Sequence, residues 1–264
     1  MIIAINGKIG AGKDTVGKII QYLCSVSYHK HDMSFNEFQD IFIEPDKVSS
    51  WKVKKYAKKL KEIASILTGI PIEKFEDQEF KKTFLGEEWN YYYSIELPNK
   101  ILTKENYDKA SVNQKTWFSK HEMTVRDLLQ KLGTEALRNG LHENVWVNAL
   151  FADYKQLKTE NTTLGSKLPF PSLIDELVDY AEVNRFPNWL ITDLRFPNEF
   201  QAVKDRNGIC VRVNRNTKMI NPIHLHPSET SLDSFTFDYE LDNLGSIEDL
   251  VEEVRKMLIN FKII

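Results

Sequence analysis

The chain opens on an unbroken apolar run, Ile2-Ile3-Ala4-Ile5, stopped by Asn6 and Gly7. A run without alternation suits a strand buried on both faces, as at the centre of a parallel sheet. Thr15 to Leu23 then reads as a helix. From Lys52 the spacing turns helical, with Val53, Tyr56, Ala57, Leu60, Ala64 and Leu67 on one face and most lysines elsewhere, and Gly69 ends it. Pro71 is placed to open a second helix, Ile72 to Phe84. Gly86 to His121 is aromatic and irregular and reads as an insertion. Its Trp89, Tyr91, Tyr92, Tyr93 and Trp117 either form a base-stacking platform or, the commoner use of such residues, pin the insertion by burial.

Thr124 and Asp127 have the spacing of a capping box for a helix through Leu128, Leu129, Leu132 and Leu137, interrupted at Gly133. Glu143 to Leu157 predicts another helix and Lys158 to Ser172 a polar loop. Trp189-Leu190-Ile191-Thr192 predicts a core strand closed by Asp193. Pro197-Asn198-Glu199 starts a helix that Gly208 ends, Ile209 to Val213 gives a strand, and Tyr239 to Leu241 the last one. Ser246 and Asp249 then cap an amphipathic helix carrying Ile247, Leu250, Val251, Val254 and Leu258. Strands alternating with helices predict an α/β protein with a parallel sheet.

Composition narrows the class. At 264 residues, 42% hydrophobic and 28% charged, the chain is an ordinary globular one, long enough for one elaborated domain. A net charge of -3 without a basic tail argues against a general nucleic-acid binder. Cys24 and Cys210 form no Cys-x-x-Cys pair and read as two reduced thiols. The first apolar run is too short for a signal peptide or a membrane span, so a cytoplasmic protein with no membrane partner is expected. The cluster His29-Lys30-His31-Asp32 reads as a solvated turn rather than a metal site.

The chemistry concentrates after the first strand, in Gly7-Lys8-Ile9-Gly10-Ala11-Gly12-Lys13-Asp14-Thr15. Glycines let successive N–H groups turn inward around an anion, the following helix presents its positive end, and Lys13 adds a full charge. Gly7, Gly12 and Lys13 keep the Walker A spacing, but Asp14 stands where that pattern has Ser or Thr, and Thr15 comes one place late. The Gly-Lys-Asp-Thr order looks like the Gly-Lys-Gly-Thr of small-molecule kinases. Phosphoryl transfer then asks for cations and a metal-linked acid. Arg126, Arg138, Arg195, Arg212 and Arg215 are the candidates to grip phosphate. Asp193, closing a core strand, either holds magnesium through water or caps a helix. His224, His226, Ser228 and Glu229 read as a lid loop contacting substrate.

Three stretches carry a family resemblance: Gly12-Lys13-Asp14-Thr15, Arg126-Asp127-Leu128-Leu129-Gln130-Lys131-Leu132-Gly133-Thr134-Glu135, and Thr192-Asp193-Leu194-Arg195-Phe196-Pro197-Asn198-Glu199. His226-Pro227-Ser228-Glu229 and Asp242-Asn243-Leu244-Gly245-Ser246 are weaker matches. In these the chain resembles the bacteriophage-type deoxynucleoside monophosphate kinases. The resemblance implies a P-loop three-layer fold over residues 1–264, a parallel sheet flanked by helices, with an acceptor-binding insertion at about 50–122 and a lid at about 212–235. It implies ATP, magnesium and a deoxynucleoside monophosphate, giving ADP and the diphosphate. Gly7, Gly10, Ala11, Gly12, Lys13, Asp14 and Thr15 would hold the ATP phosphates, with Thr15 and Asp193 at the metal and the loop near Asn243 beside adenine. Lys61, on the helices between Lys52 and Leu85, and Arg126 and Arg138 would wall the acceptor, while Arg195, Arg212 and Arg215 bridge the substrates. Partners would be small nucleotides, with a homodimer left open. A kinase of another phosphorylated small molecule, or a regulatory ATP hydrolase, shares the donor motifs.

Overall fold

A computed structural model describes residues 1–25, 33–94, 101–102, 104–157, 186–215 and 230–264. His29 to Asp32, the Lys158 to Ser172 loop, the remainder of 158–185 and the His224 to Glu229 motif lie outside these. The chain divides into two units, Met1–Tyr56 with Val147–Ile264, and Ala57–Trp146.

The first unit is built on a five-stranded sheet. Its strands are β1 (Ile2–Asn6), β2 (Trp51–Lys54), β6 (Asn188–Ile191), β7 (Ile209–Asn214) and β8 (Tyr239–Asp242), in the order β2-β6-β1-β7-β8 and parallel throughout. The apolar run takes the centre, Ile3 lying between Leu190 and Ile209. Ile2, Ile3, Ala4 and Ile5 are wholly buried. Each isoleucine side chain removed from water in this way contributes about 1.5–3 kcal/mol.

Helices flank the sheet. α1 (Lys13–Leu23) and the last helix, α9 (Ile247–Asn260), bury Val16, Ile19, Ile20 and Leu23 together with Leu250, Val254, Met257 and Leu258 against Ile3, Ile5, Val211 and Val213. Ser246 accepts from the Asp249 amide as expected, fixing where α9 starts. α8 (Pro197–Lys204) packs on β1 and β7. α2 (Phe35–Ile41) adds Phe35 and Phe38 to the core, both against Tyr22.

One expectation fails here. Lys52 does not begin a helix: Trp51–Lys54 is the edge strand β2, and the helix α3 starts at Tyr56 and runs to Thr68. Trp51 is buried and Lys52 and Lys54 are partly covered, a charged edge that discourages pairing with another chain. Its lysines and valine fit a helical wheel as well as a short strand.

The second unit is held by a smaller core of Ala64, Phe75, Val125 and Leu128. The helix expected over Ile72 to Phe84 is instead two short 3₁₀ turns, Ile72–Glu76 and Phe80–Lys82. Asp77 separates them with extended backbone and accepts from the Glu79 and Phe80 amides. The aromatic stretch is also more regular than its sequence reads: β3 (Tyr91–Ser94) pairs antiparallel with β4 (Ile101–Leu102) and β5 (Phe118–His121). Two short helices, α4 (Lys104–Lys109) and α5 (Val112–Lys115), lie between them in sequence. Tyr92 stacks on Tyr107 with ring centres 3.7 Å apart, so this aromatic pair pins local structure.

Thr124 caps α6 (Val125–Gln130) through the expected box with Asp127. Gly133 does not interrupt the helix that follows. The chain passes directly into a π-helical segment, Lys131–Asn139, in which Gly133 is buried with Leu60 against its Cα and its carbonyl accepts from the Trp146 indole at 2.8 Å. α7 (Val145–Phe151) is the shorter form of the helix expected from Glu143.

Candidate functional site

Parallel strands deliver their C-terminal ends to one edge, where an open α/β sheet presents ligand sites. Here β1 runs into Gly7, β2 into Lys55, β6 into Thr192 and Asp193, β7 into Arg215 and β8 into Asn243. The central β1 therefore places the glycine loop between the other four.

The loop closes on itself before α1. The Ala11 amide donates to the Lys8 carbonyl, and the Lys13 ammonium donates to the carbonyls of Gly7 at 2.6 Å and Lys8 at 2.9 Å. Gly12 takes φ +98, a conformation open to glycine, and a Cβ there would stand 2.5 Å from the Asn243 amide nitrogen. That Asn243 side chain is buried and donates to the Ala11 carbonyl at 2.8 Å, bracing the loop from β8. The helix positive end and the Lys13 charge thus meet in one backbone cradle with the chemistry of an anion site.

Asp14 is turned to the side. Its Oδ1 accepts from the Thr192 hydroxyl at 2.7 Å and pairs with the Lys55 ammonium at 2.9 Å. Partial enclosure would raise its pKa, but the Thr192 hydroxyl, Lys55 and Lys13 outweigh that and hold the carboxyl below its ordinary value. Asp193 Oδ1 accepts from the amide of Tyr56, the first residue of α3, at 2.9 Å. Burial, then the charges of Glu199 and Asp193, push the Tyr56 phenol far above its usual range, so it stays neutral. Arg195 stands on a turn fixed by Glu199, a carboxylate only 2% exposed that accepts from the amides of Arg195 and Phe196.

Beside the loop is a cleft of about 420 Å³ lined by Asn6, Gly7, Lys8, Arg212, Val213, Asn214, Arg215, Asp233, Asp242 and Leu244. Arg212 is held by Asn6, the Leu232 carbonyl and Asp233 and lies over the Phe237 ring, while Asp233 also pairs with Lys8 at 2.6 Å. Arg215 is exposed and donates to the Gly10 carbonyl. Leu244 is 64% exposed at the same cleft, an apolar surface beside polar groups.

Lys61, Arg126 and Arg138 belong to the second unit. Lys61 is buried and pairs with Glu76 at 2.6 Å, and Arg126 donates to Gln78, so two side chains two residues apart hold both cations. Asp127 and Glu135, the acids nearest to the arginines in sequence, go elsewhere: Asp127 caps α6 and lies 3.4 Å from His121, and Glu135 pairs with Lys131. Sequence reasoning had passed over Lys55 and Asp233 as site residues, since their contacts with Asp14 and Lys8 join separate stretches of the chain.

Among the described residues no group of three His, Cys, Asp or Glu side chains could hold a metal by itself, and no helix is long and apolar enough to cross a membrane. No family model matches the chain. It is 23% identical over 270 residues to a deoxynucleoside-5'-monophosphate kinase of Escherichia phage T5, covering 96% of this chain and 94% of that protein. It is also 27% identical over 146 residues to a putative deoxynucleotide monophosphate kinase of Acanthamoeba polyphaga mimivirus, covering 52% of this chain and 61% of that one. The resemblance read from its motifs is therefore matched by relatives, and along nearly its whole length the chain resembles the phage-type deoxynucleoside monophosphate kinases.

Proposed function

We propose that this chain transfers the γ-phosphoryl group of ATP to a deoxynucleoside monophosphate, giving ADP and the diphosphate. The observation that carries the reading is the braced glycine loop with Lys13 at its mouth, set at the C-terminal end of the central strand. The names of the two relatives support the acceptor class. In the reaction an oxygen of the acceptor phosphate attacks the γ-phosphorus while the bond to the β,γ-bridging oxygen breaks, and the electron pair leaves with ADP.

The chain's task is alignment and charge neutralisation. The loop amides and the first turn of α1 hold the donor phosphates, and Lys13 exchanges its two loop carbonyls for phosphate oxygens. Asn243 acts beneath the loop, keeping Ala11 in place, while Leu244 offers the nearby cleft an apolar surface for the base. Arg195 and Arg215 neutralise the moving group. Arg126 and Arg138, with Lys61 of the same unit, take the acceptor phosphate. Thr15 and Asp193 offer oxygen donors of the kind magnesium prefers, and phosphate oxygens would complete its shell. When bound, the ion would neutralise charge on the donor phosphates.

A panel of deoxy- and ribonucleoside monophosphates, with ADP formation measured against a no-acceptor control, tests the reading. Turnover that appears only with a nucleoside monophosphate supports it. Turnover restricted to another phosphorylated small molecule, or equal hydrolysis without acceptor, overturns it.

A further inference from the structure

The carboxylate of Asp14 poses a problem that the loop itself does not solve. It sits in the first turn of α1, next to Lys13, where the helix end and the lysine attract an anion. An unneutralised carboxylate there would compete with a triphosphate for the same field and repel it.

Lys55 answers this charge from a position set independently by the sheet. β2 and β6 pair in register up to Lys54 opposite Ile191, so the next residues, Lys55 and Thr192, leave the sheet side by side. On the far side of Lys55, the Tyr56 amide is bound to Asp193. Thr192 is buried, and a Cβ on Gly17 would stand 2.8 Å from its methyl, so α1 lies tightly against that strand end. The two donors converge on the same oxygen of Asp14. The side chain of Lys55 is 29% exposed and that of Asp14 66%, so water screens much of the pair and the geometry, two donors on one oxygen, sets where the carboxylate points.

We infer that Lys55 is a positioning residue of the nucleotide site: with Thr192 it neutralises Asp14 and holds it aside, so that the cradle accepts a nucleoside triphosphate. This rests on the nucleotide reading of the loop. Lys55 acts through Asp14 and makes no contact with substrate. Its removal should therefore harm triphosphate binding only while Asp14 carries its charge.

The test is a binding titration of the full chain with a fluorescent ATP analogue, without acceptor, for wild type, Lys55→Ala, Asp14→Asn and the double variant, with chemical denaturation of each. Lys55→Ala should weaken binding by about three- to fivefold, the scale of one solvent-screened like charge left beside the phosphates. The double variant should recover most of that loss, and Lys55→Arg should stay near wild type. If the alanine form is unstable, Lys55→Gln gives the same comparison with a donor retained and the charge removed. Wild-type binding with no loss in Lys55→Ala overturns the positioning role. So does a double variant as weak as Lys55→Ala, which would mean that Lys55 meets the nucleotide directly. A wild type that binds no ATP analogue overturns the nucleotide reading and this inference with it.

Discussion

The two units offer a phosphate group different kinds of candidate site. In the first, the candidate phosphate site is mostly backbone, a loop of main-chain amides mounted on a strand whose side chains are wholly buried, and the side chains around it brace that loop. In the second, the candidate phosphate grips are long side chains, Arg126 and Lys61, held by Gln78 and Glu76 over a core of four buried residues. A backbone cradle is rigid and takes any polyphosphate. A side-chain site can be rebuilt by substitution, which suits the unit that would distinguish acceptors.

Substitutions can break this contrast. The largest effect is expected for Lys13→Ala, which should leave the fold intact and lower kcat by about 10² to 10³, the usual loss for one preorganised charge contact. A variant keeping more than half of wild-type turnover would take Lys13 out of the chemistry. Asp193→Asn retains an oxygen for the Tyr56 amide while removing the charge, so it separates capping from metal binding. It should raise the magnesium requirement by about 10- to 100-fold, as loss of an outer-shell ligand partner does, and excess magnesium should restore part of the rate. An unchanged magnesium titration would leave Asp193 as a cap.

In the second unit, Arg126→Ala and Arg138→Ala should each lower kcat/KM for the acceptor by about ten- to a hundred-fold, equivalent to roughly 1.5–3 kcal/mol, with ATP binding unaltered. A fall in stability with acceptor kinetics unchanged would make them structural. Asn243→Ala tests the brace: the Ala11 carbonyl loses a buried donor, and denaturation should report a loss of about 1–3 kcal/mol. Stability equal to wild type would return Asn243 to a direct role at the base.

The smallest effect is in acid. Because the folded pKa of Asp14 lies below its ordinary 3.8, its pairing contributes stability above that value and loses it as the pH falls through the lower folded value. Denaturation of wild type and Asp14→Asn should thus differ by a constant amount between pH 6 and 8. The difference should change only below about pH 4. A change near neutral pH would show that another group titrates with it.

Much of this was legible in the chain. The four apolar residues before Gly7, the glycine spacing, the Thr124 and Ser246 caps and the strands ending at Ile191 and Asn214 all arise from local sequence, and each stands close to its expected place. Illegible were features decided at a distance. Trp51-Lys52-Val53-Lys54 becomes a strand because β6 offers it a partner edge. Tyr91–Ser94, Ile101–Leu102 and Phe118–His121 become a sheet because Tyr92 finds Leu102 and Lys120. The same holds in the site, where Asp14 meets Thr192, Lys8 meets Asp233, and Arg212 spends its guanidinium on Leu232 and Asp233. The two cysteines, read from their spacing as reduced thiols, are free in the structure. Burial pushes Cys210 up to about 12 and Cys24 up to about 11, so both stay protonated at neutral pH.

The pairing of β1 also dictates an order of assembly. Ile3 must find Leu190 on one side and Ile209 on the other, so the central strand has no sheet neighbour until those much later segments have been made. Ala57–Trp146 is continuous and can close its own contacts during that wait. Contacts of such long separation fold slowly, and an apolar strand held open meanwhile is exposed to aggregation. The loop that would handle phosphate is therefore carried by a strand whose sheet partners arrive only with residues 188–214.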